Sequence, residues 1–584
     1  MSNSTSPRAK QANSAPLRSP IGWVGAALAA ACLIYGACAY LGTAVFGNDD
    51  PAEAVYNRMI DGFAQGHLYL RRDVPAKFAQ LADPYDPAQN APYRVPPYFL
   101  YDLSYYRGRL YAYFSPLPAL ALFWPYHLLT GSYLSYKAAA AVFTSLGFLA
   151  VAWLLLDARR RYAPTMPAAL AGALLLAVGL STALPTLLVR VDVWEIPIAC
   201  GSALTLLLLA TLWRAWHRED RRAEWLAASS LILGLIVASR PTAILLSPLI
   251  ALPLAGRREP LRLKFIAAAA VPLGCCLAAL AAFNYARFGD VLEFGQSYQL
   301  PAGLNARENH SFNLAYVWDN IRIYFLHPAP WKARFPFVGA PATIPVHPGH
   351  GEPEFTFGVL ADVPLVWLGL AAWPLARKSG GLAFLTAAVL WIALAQIGVL
   401  LLLNGSVSRY EVELLTPLIL LAAIAILAAE STRTLLPPLR GLWLLLAGIS
   451  IAFNLAHATD YAIKTRVGGL SWAMVHGNLA AALVHVDTLL LLEPGNAGFH
   501  NERGVILASA GRLPGAVDEF KAAVRLDGHA AYARHNLGQA LLRGGDRGGA
   551  IREFEESLRL DPGDAAARAS LDLIQRTDAN ARLP

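Results

Sequence analysis

Long apolar runs separated by short charged clusters constrain this chain more than any other feature. They fill the stretch from Ile21 to Thr459, while roughly the last 120 residues are polar. Over the whole chain 56% of residues are hydrophobic and 15% charged, with a mean hydropathy of +0.41. A soluble domain carries about 25% charged residues. This composition excludes a disordered chain, a nucleic-acid-binding basic protein and an ordinary cytosolic enzyme. An all-α architecture is expected: a polytopic transmembrane helical bundle followed by a soluble C-terminal tail.

The apolar runs predict eleven spans. The first is residues 21–46, too long for a signal-peptide core. The others are near 137–156, 166–187, 194–214, 224–238, 241–255, 265–285, 359–376, 382–403, 411–429 and 441–459. Residues 1–20, rich in Ser and Pro, read as a disordered cytoplasmic tail, 21–460 as the membrane domain and 461–578 as the soluble module. The net charge of +8 is a topology signal. Eighteen Lys and Arg, in the N-terminus and the clusters at 159–161, 214–222, 257–264, 377–378 and 433–440, fall on one side. Only Arg190, Arg240 and Arg409 occupy short loops on the other. The positive-inside rule therefore puts the N-terminus inside, with two long loops, about 47–136 and 286–358, and the tail outside. The apolar segment Pro116–Gly131 is short and holds three prolines, so it reads as a re-entrant or interfacial helix.

The tail repeats itself. Gly504, Leu507, Gly511, Ala516, Phe520 and Ala523 recur 34 residues later as Gly538, Leu541, Gly545, Ala550, Phe554 and Ser557. That is the tetratricopeptide period, with small and aromatic residues where paired helices touch. A partial repeat (Ala482, Val486, Leu489) precedes it and a helix from Asp564 to Arg576 caps it. Such solenoids bind proteins or peptides.

Charged residues at the outer boundary are few, and four groups of them share one face under this topology. Asp49 and Asp50 follow the first span. Asp50 suits an N-cap, with Pro51 at the first helical position and Glu53 as the capping-box acid. Asp49 has no such explanation and is placed to act as a general base. Arg190, Asp192 and Glu195 form a short loop, either a salt-bridged turn or a substrate wall. Arg240 interrupts a long apolar run, where an arginine costs ~2.5–3.5 kcal/mol unless it meets a cavity or an anion. Arg409, Tyr410 and Glu413 sit at another outer boundary. His347, His350, Glu352 and Glu354 in the second loop leave a divalent metal open, on a spacing that matches no helix-based site.

Several motifs resemble glycosyltransferases of the C superfamily. The acidic pair after the first span, SPLPALALFWPYHLLTG, and the following YKAAAAVFTSLGFLAVAWLLLDARRRY resemble the layout of protein O-mannosyltransferases and lipid A aminoarabinose transferases. YDLSYYRGRLYAYFSPLPAL, GLIVASRPTA, FNYARFGDVLEFGQSYQL and SRYEVELLTP are similar to bacterial membrane proteins described as glycosyltransferase-like. The resemblance covers residues 21–459. It implies transfer of a sugar from a polyprenyl-phosphate carrier, on the periplasmic face of a bacterial inner membrane, with Asp49 as the base. The chain departs from those families in having Asp49-Asp50 for their Asp-Glu, and Ser115-Pro116-Leu117-Pro118 for a His-Pro-Pro-type motif. The rival classes are a transporter or flippase for a lipid-linked substrate, which would show inverted repeats, and a non-catalytic scaffold displaying the repeat tail.

Overall fold

The computed structural model describes residues 20–44, 50–95, 98, 100–255, 262–300, 311–432 and 437–581. The expected N-terminal tail and Asp49 lie outside these residues. Among the described residues eight helices are long and apolar enough to cross a membrane, and of these Tyr136–Tyr162, Glu195–His217, Arg222–Ser239 and Leu263–Phe288 pack as successive neighbours. Three of the eleven expected segments take shorter or broken forms. One is the pair Ala168–Leu180 and Leu184–Val189. The second is Pro364–Ala371 continued by Ala372–Ala376. The third, Pro241–Leu254, is wound as a 3₁₀ helix around Pro248 and Pro253. At about 2.0 Å rise per residue its 14 residues reach about 28 Å, close to the hydrocarbon thickness of a bilayer. Tighter winding gives a short segment the length of a longer α-helix.

The first long loop is ordered by local signals. Asp50 accepts a hydrogen bond from the Ala52 N–H at 2.9 Å, with Pro51 next, so it is the N-cap foreseen. The turn is a single 3₁₀ stretch, Pro51–Glu53, before the helix Val55–Ala64, and Glu53 pairs with Arg58. The expected interfacial segment forms a π-turn, Ala119–Phe123, and a helix, Trp124–Thr130, that leaves Leu128 and Leu129 exposed. The all-α expectation needs one amendment. Leu103–Tyr106 and Arg109–Ala112 form an antiparallel hairpin. Arg107 and Gly108 both have positive φ (49° and 75°), as a two-residue type I′ turn requires. Leu300 of the second outer loop exchanges backbone hydrogen bonds with Asp102 and Leu103, so the two long loops are tied together.

The last expected span, 441–459, is part of a longer element. Pro437–Val475 is one unbroken helix of 39 residues, and the boundary drawn at 460 falls inside it. Its final turns pair with Leu479–Leu492 as the first helices of the repeat stack. The pairs Ala497–Ser509 with Leu513–Leu526, and Ala531–Arg543 with Arg547–Leu560, follow, and Ala565–Ala581 closes the stack. The repeated glycines admit the repeated phenylalanines: a Cβ on Gly504 would lie 2.5 Å from the Phe520 ring, and one on Gly538 2.8 Å from Phe554.

Candidate active site

Both long loops and the ends of several spans converge on a cavity of about 620 Å³. Arg240, Arg287, Arg409, Tyr410, Trp194 and Ser115 line it, and no aspartate or glutamate is among its described lining residues. A second cavity, about 490 Å³, opens beside it and is apolar, lined by Phe63, Leu117, Leu120, Trp124, Leu235 and Phe283 among others. Pro116, Ala238 and Leu280 belong to both walls. A polar, cationic chamber thus runs into an apolar groove, within the volume range of ordinary ligand sites.

The three arginines reach the chamber differently. Arg240 ends the helix Arg222–Ser239 in an extended conformation forced by Pro241. Its Nη2 donates to Glu413 Oε2 at 2.9 Å, and its guanidinium lies 5.5 Å from the Tyr410 ring. Arg409 lies 3.8 Å from both Glu195 Oε1 and Glu354 Oε2, and faces Trp194 and Tyr410 at 5.5 and 5.4 Å. Arg287 differs from both. It is 6% exposed, donates to Ala112 O at 2.9 Å and Asn284 Oδ1 at 2.8 Å, and pairs with no carboxylate among the described residues. Its Nε has no hydrogen-bond partner. Glu293 favours its charge only through space, and a buried cation with no paired carboxylate at a cavity wall is expensive unless an anion meets it.

Arg190, Asp192 and Glu195 are brought close to the chamber but are not part of its lining. Arg190 is held by Glu354 and by the Tyr461 hydroxyl at 2.7 Å. Burial works against its charge, but Tyr461, Glu195 and Glu354 outweigh burial and hold the guanidinium above its ordinary range. Glu195 accepts from the Asp192 N–H at 2.9 Å, and Asp192 accepts from the Val193 N–H at 2.7 Å, both within the turn that leads into the helix Glu195–His217. Glu195 is fully buried and lies 3.8 Å from Arg409, behind the chamber wall and outside its lining. Glu413 likewise serves Arg240 and lines a small recess of about 50 Å³ below it. Asp192 lines a separate cavity of about 90 Å³ with Glu53, Arg72, Tyr101 and Tyr136. Ala44 belongs to that cavity too, so its wall brackets the acidic pair in sequence.

Three of the four candidate metal ligands of the second loop are engaged with other groups. Glu354 is committed to Arg190, His350 faces Asn320 at 3.2 Å, and His347 Nδ1 lies 2.6 Å from its neighbour's carbonyl. Among the described residues no group of three or more His, Cys, Asp or Glu gathers as a metal site.

Sequence reasoning missed Arg287, Tyr461 and Asp102, and read Glu354 only as a candidate metal ligand, not as the partner of Arg190 and Arg409. Asp102 is buried at φ 54° and accepts from Trp194 Nε1 at 2.8 Å and Gln299 Nε2 at 2.9 Å. Burial pushes its carboxyl above the usual carboxylate range, against the opposing pull of those two hydrogen bonds. An arginine following Asn284 at the end of an apolar helix was the one legible signal. It is easily read as an ordinary C-terminal cation.

No curated protein matches the chain. The crystal structure of ArnT from Cupriavidus metallidurans bound to undecaprenyl phosphate is 16% identical, over 89% of this chain and 80% of that one, with a TM-score of 0.39. A crystal structure of MamA is 20% identical over 20% of this chain and 68% of its own, with a TM-score of 0.20. That of YrrB, a TPR protein with an unusual peptide-binding site, is 15% identical over 36% and 91%, with a TM-score of 0.18. Residues 473–531 match the tetratricopeptide repeat family model. Together with the 34-residue period and the stacked helix pairs, this makes the tail a tetratricopeptide repeat module attached to a bundle of membrane-type helices.

Proposed function

We propose that the chain is a membrane glycosyltransferase that moves a sugar from a polyprenyl-phosphate carrier to an acceptor on the outer face of a bacterial inner membrane. One observation carries the reading: a chamber with three arginines and no carboxylate in its described lining continues into an apolar groove. An amphiphile with an anionic head and a long apolar tail fits that pair of surfaces. The motif resemblance to C-superfamily glycosyltransferases supplies the reaction class.

In this reading Arg240, Arg287 and Arg409 meet the carrier's phosphate and stabilise the charge that develops as it leaves, because guanidinium binds phosphate oxygens through paired N–H groups. The sugar lies between them and the acidic pair. The bond from its anomeric carbon to the phosphate oxygen breaks, the electron pair leaves with the phosphate, and the acceptor oxygen bonds to the opposite face of that carbon. The acceptor's proton passes to Asp49. Asp50 caps the following turn, and Tyr410 shapes the chamber beside Arg240. The repeat module holds a protein or peptide partner, or the acceptor itself.

The test is turnover. Protein in lipid nanodiscs, given a radiolabelled polyprenyl-phosphate hexose, is expected to release free polyprenyl phosphate and labelled sugar. Asp49→Asn is expected to abolish release while leaving carrier binding intact. Movement of the intact lipid-linked sugar across a vesicle without cleavage would assign the chain to the transporter class instead.

A further inference from the structure

Trp194 stands between two compartments of opposite chemistry. It lines the arginine chamber on one side and the 90 Å³ cavity on the other. The chamber's charged groups are three arginines, whereas the small cavity presents Glu53 and Asp192, one Arg72, and the phenols of Tyr101 and Tyr136. Glu53 is paired with Arg58 and the Tyr136 oxygen accepts from the Val55 N–H at 2.7 Å, but carboxylate and phenol oxygens accept more than one hydrogen bond, so the small cavity suits a group that offers O–H donors and the chamber suits an anion.

The indole is held rigidly for a residue at a loop–helix junction. Its Nε1–H donates to Asp102 Oδ2 at 2.8 Å, and Gln299, from the second outer loop, donates to the other oxygen of that carboxyl at 2.9 Å. Tyr101 meets the ring edge-on at 5.6 Å, and the guanidinium groups of Arg190 and Arg409 lie 5.8 and 5.5 Å from it. Asp102 is itself held at positive φ, a conformation that is strained for a residue other than glycine and persists where the surroundings enforce it. Groups from both long loops and from the span boundaries at Arg190 and Arg409 thus fix one ring.

We infer that the small cavity is the acceptor subsite, taking a hydroxyl-bearing group, and that Trp194 is the partition that keeps bulk water from the sugar while a bound acceptor reaches it. The inference rests on the transferase reading. When the anomeric carbon–phosphate bond breaks, the carbon accepts whichever oxygen is presented: an acceptor hydroxyl gives transfer, water gives hydrolysis. In each case one C–O bond forms as one breaks, the phosphate keeps the electron pair, and the incoming O–H loses its proton to a carboxylate. A wall that admits one oxygen source and excludes the other decides the product and leaves the donor's own contacts alone. Trp194 is therefore a positioning and selectivity residue.

The experiment measures product partition. Full-length protein in nanodiscs receives a radiolabelled polyprenyl-phosphate hexose in water containing glycerol as the competing hydroxyl acceptor. The wild type is expected to favour glycosyl-glycerol over free hexose. Trp194→Ala, which joins the compartments, is expected to shift that ratio toward free hexose at least tenfold with the donor KM unchanged. Trp194→Phe, which keeps the wall but loses the N–H, is expected to fall between. Asp192→Asn is expected to raise the glycerol KM and spare the donor KM. Retained binding of undecaprenyl phosphate by Trp194→Ala shows that the variant is folded. A Trp194→Ala ratio equal to wild type in protein that turns over overturns the inference alone. A wild type that neither cleaves the donor nor binds undecaprenyl phosphate overturns the transferase reading beneath it.

Discussion

Replacing Arg287 with methionine separates an arginine that meets a phosphate from one that merely braces its own helix. In the ligand-free protein the change removes two hydrogen bonds from a charged donor, to Ala112 O and Asn284 Oδ1, worth about 1.5–3 kcal/mol each. It also removes the guanidinium from over the rings of Phe283 and Phe288, at 4.0 and 4.7 Å, about 0.5–2 kcal/mol. Against these losses stands the removal of a charge that is 6% exposed and makes no ion pair with a carboxylate among the described residues, whose desolvation costs several kcal/mol. The opposing contributions nearly cancel, so the ligand-free Tm should move by no more than a few degrees. With a phosphate bound the balance changes sign. Leaving a buried phosphate one partner short costs about 3–5 kcal/mol. At 1.4 kcal/mol per tenfold, affinity falls by about a hundredfold to a few thousandfold. The assay is thermal unfolding in nanodiscs against a titration of undecaprenyl phosphate, with undecaprenol as the same chain lacking the phosphate. Wild type is expected to prefer the phosphate form, and Arg287→Met to lose about a hundredfold to a few thousandfold of that preference while Arg240 and Arg409 keep the rest. A variant that keeps the full phosphate preference refutes the reasoning. So does one whose ligand-free Tm collapses while the phosphate-induced shift is undiminished, since Arg287 would then be a strut for the hairpin strand at Ala112.

Arg466 is 2% exposed and donates to Leu41 O at 3.0 Å and Gly42 O at 2.5 Å, capping the helix that leads to the acidic pair. Arg466→Met should lose about 2–3 kcal/mol of local stability and speed hydrogen exchange in residues 40–44 some thirty- to a hundredfold, leaving the hairpin at Leu103–Ala112 unaltered. Equal exchange in the two proteins would show that the helix end is held by other contacts. Burial raises the Asp102 carboxyl above its unfolded value, so its stabilising contribution is complete below about pH 4 and is lost as pH rises toward the folded value. Asp102→Asn should flatten that dependence, so that Tm differences between variant and wild type shift in favour of the variant as pH rises from 4; a constant difference across pH would contradict the assignment. Gly538→Val places side-chain atoms against Phe554, already 2.8 Å from a built Cβ, and should destabilise the repeat stack by about 1–3 kcal/mol. Faster tryptic cleavage within 531–560, with the membrane helices intact, reports it, and cleavage at the wild-type rate would mean that the ring can move aside.

The sequence alone determined whatever depends on near neighbours or on a fixed period. Apolar runs of span length, the Asp50–Pro51 cap and the 34-residue repeat are all local, and each matches an element where the structure describes it. Scarcity of charge at the span boundaries also singled out Arg240 and Arg409, because a cation in an apolar setting needs a reason wherever the chain goes. Tertiary structure decided which of those groups line the chamber and which face one another. Glu195 and Glu413 have the same sequence signature as a substrate contact, yet they are spent on Arg409 and Arg240 across more than 170 residues of chain. Asp102 reaches Trp194 over 92 residues and Gln299 over 197. No periodicity records such pairings. Whether a buried arginine meets a carboxylate or an empty chamber is fixed by which distant segments pack against it. The span boundary at 459 hid a helix that runs on to Val475 and carries Tyr461 to Arg190 and Arg466 to the end of the first helix. Hydropathy ends where the lipid ends, whereas a helix ends only where its backbone hydrogen bonds do.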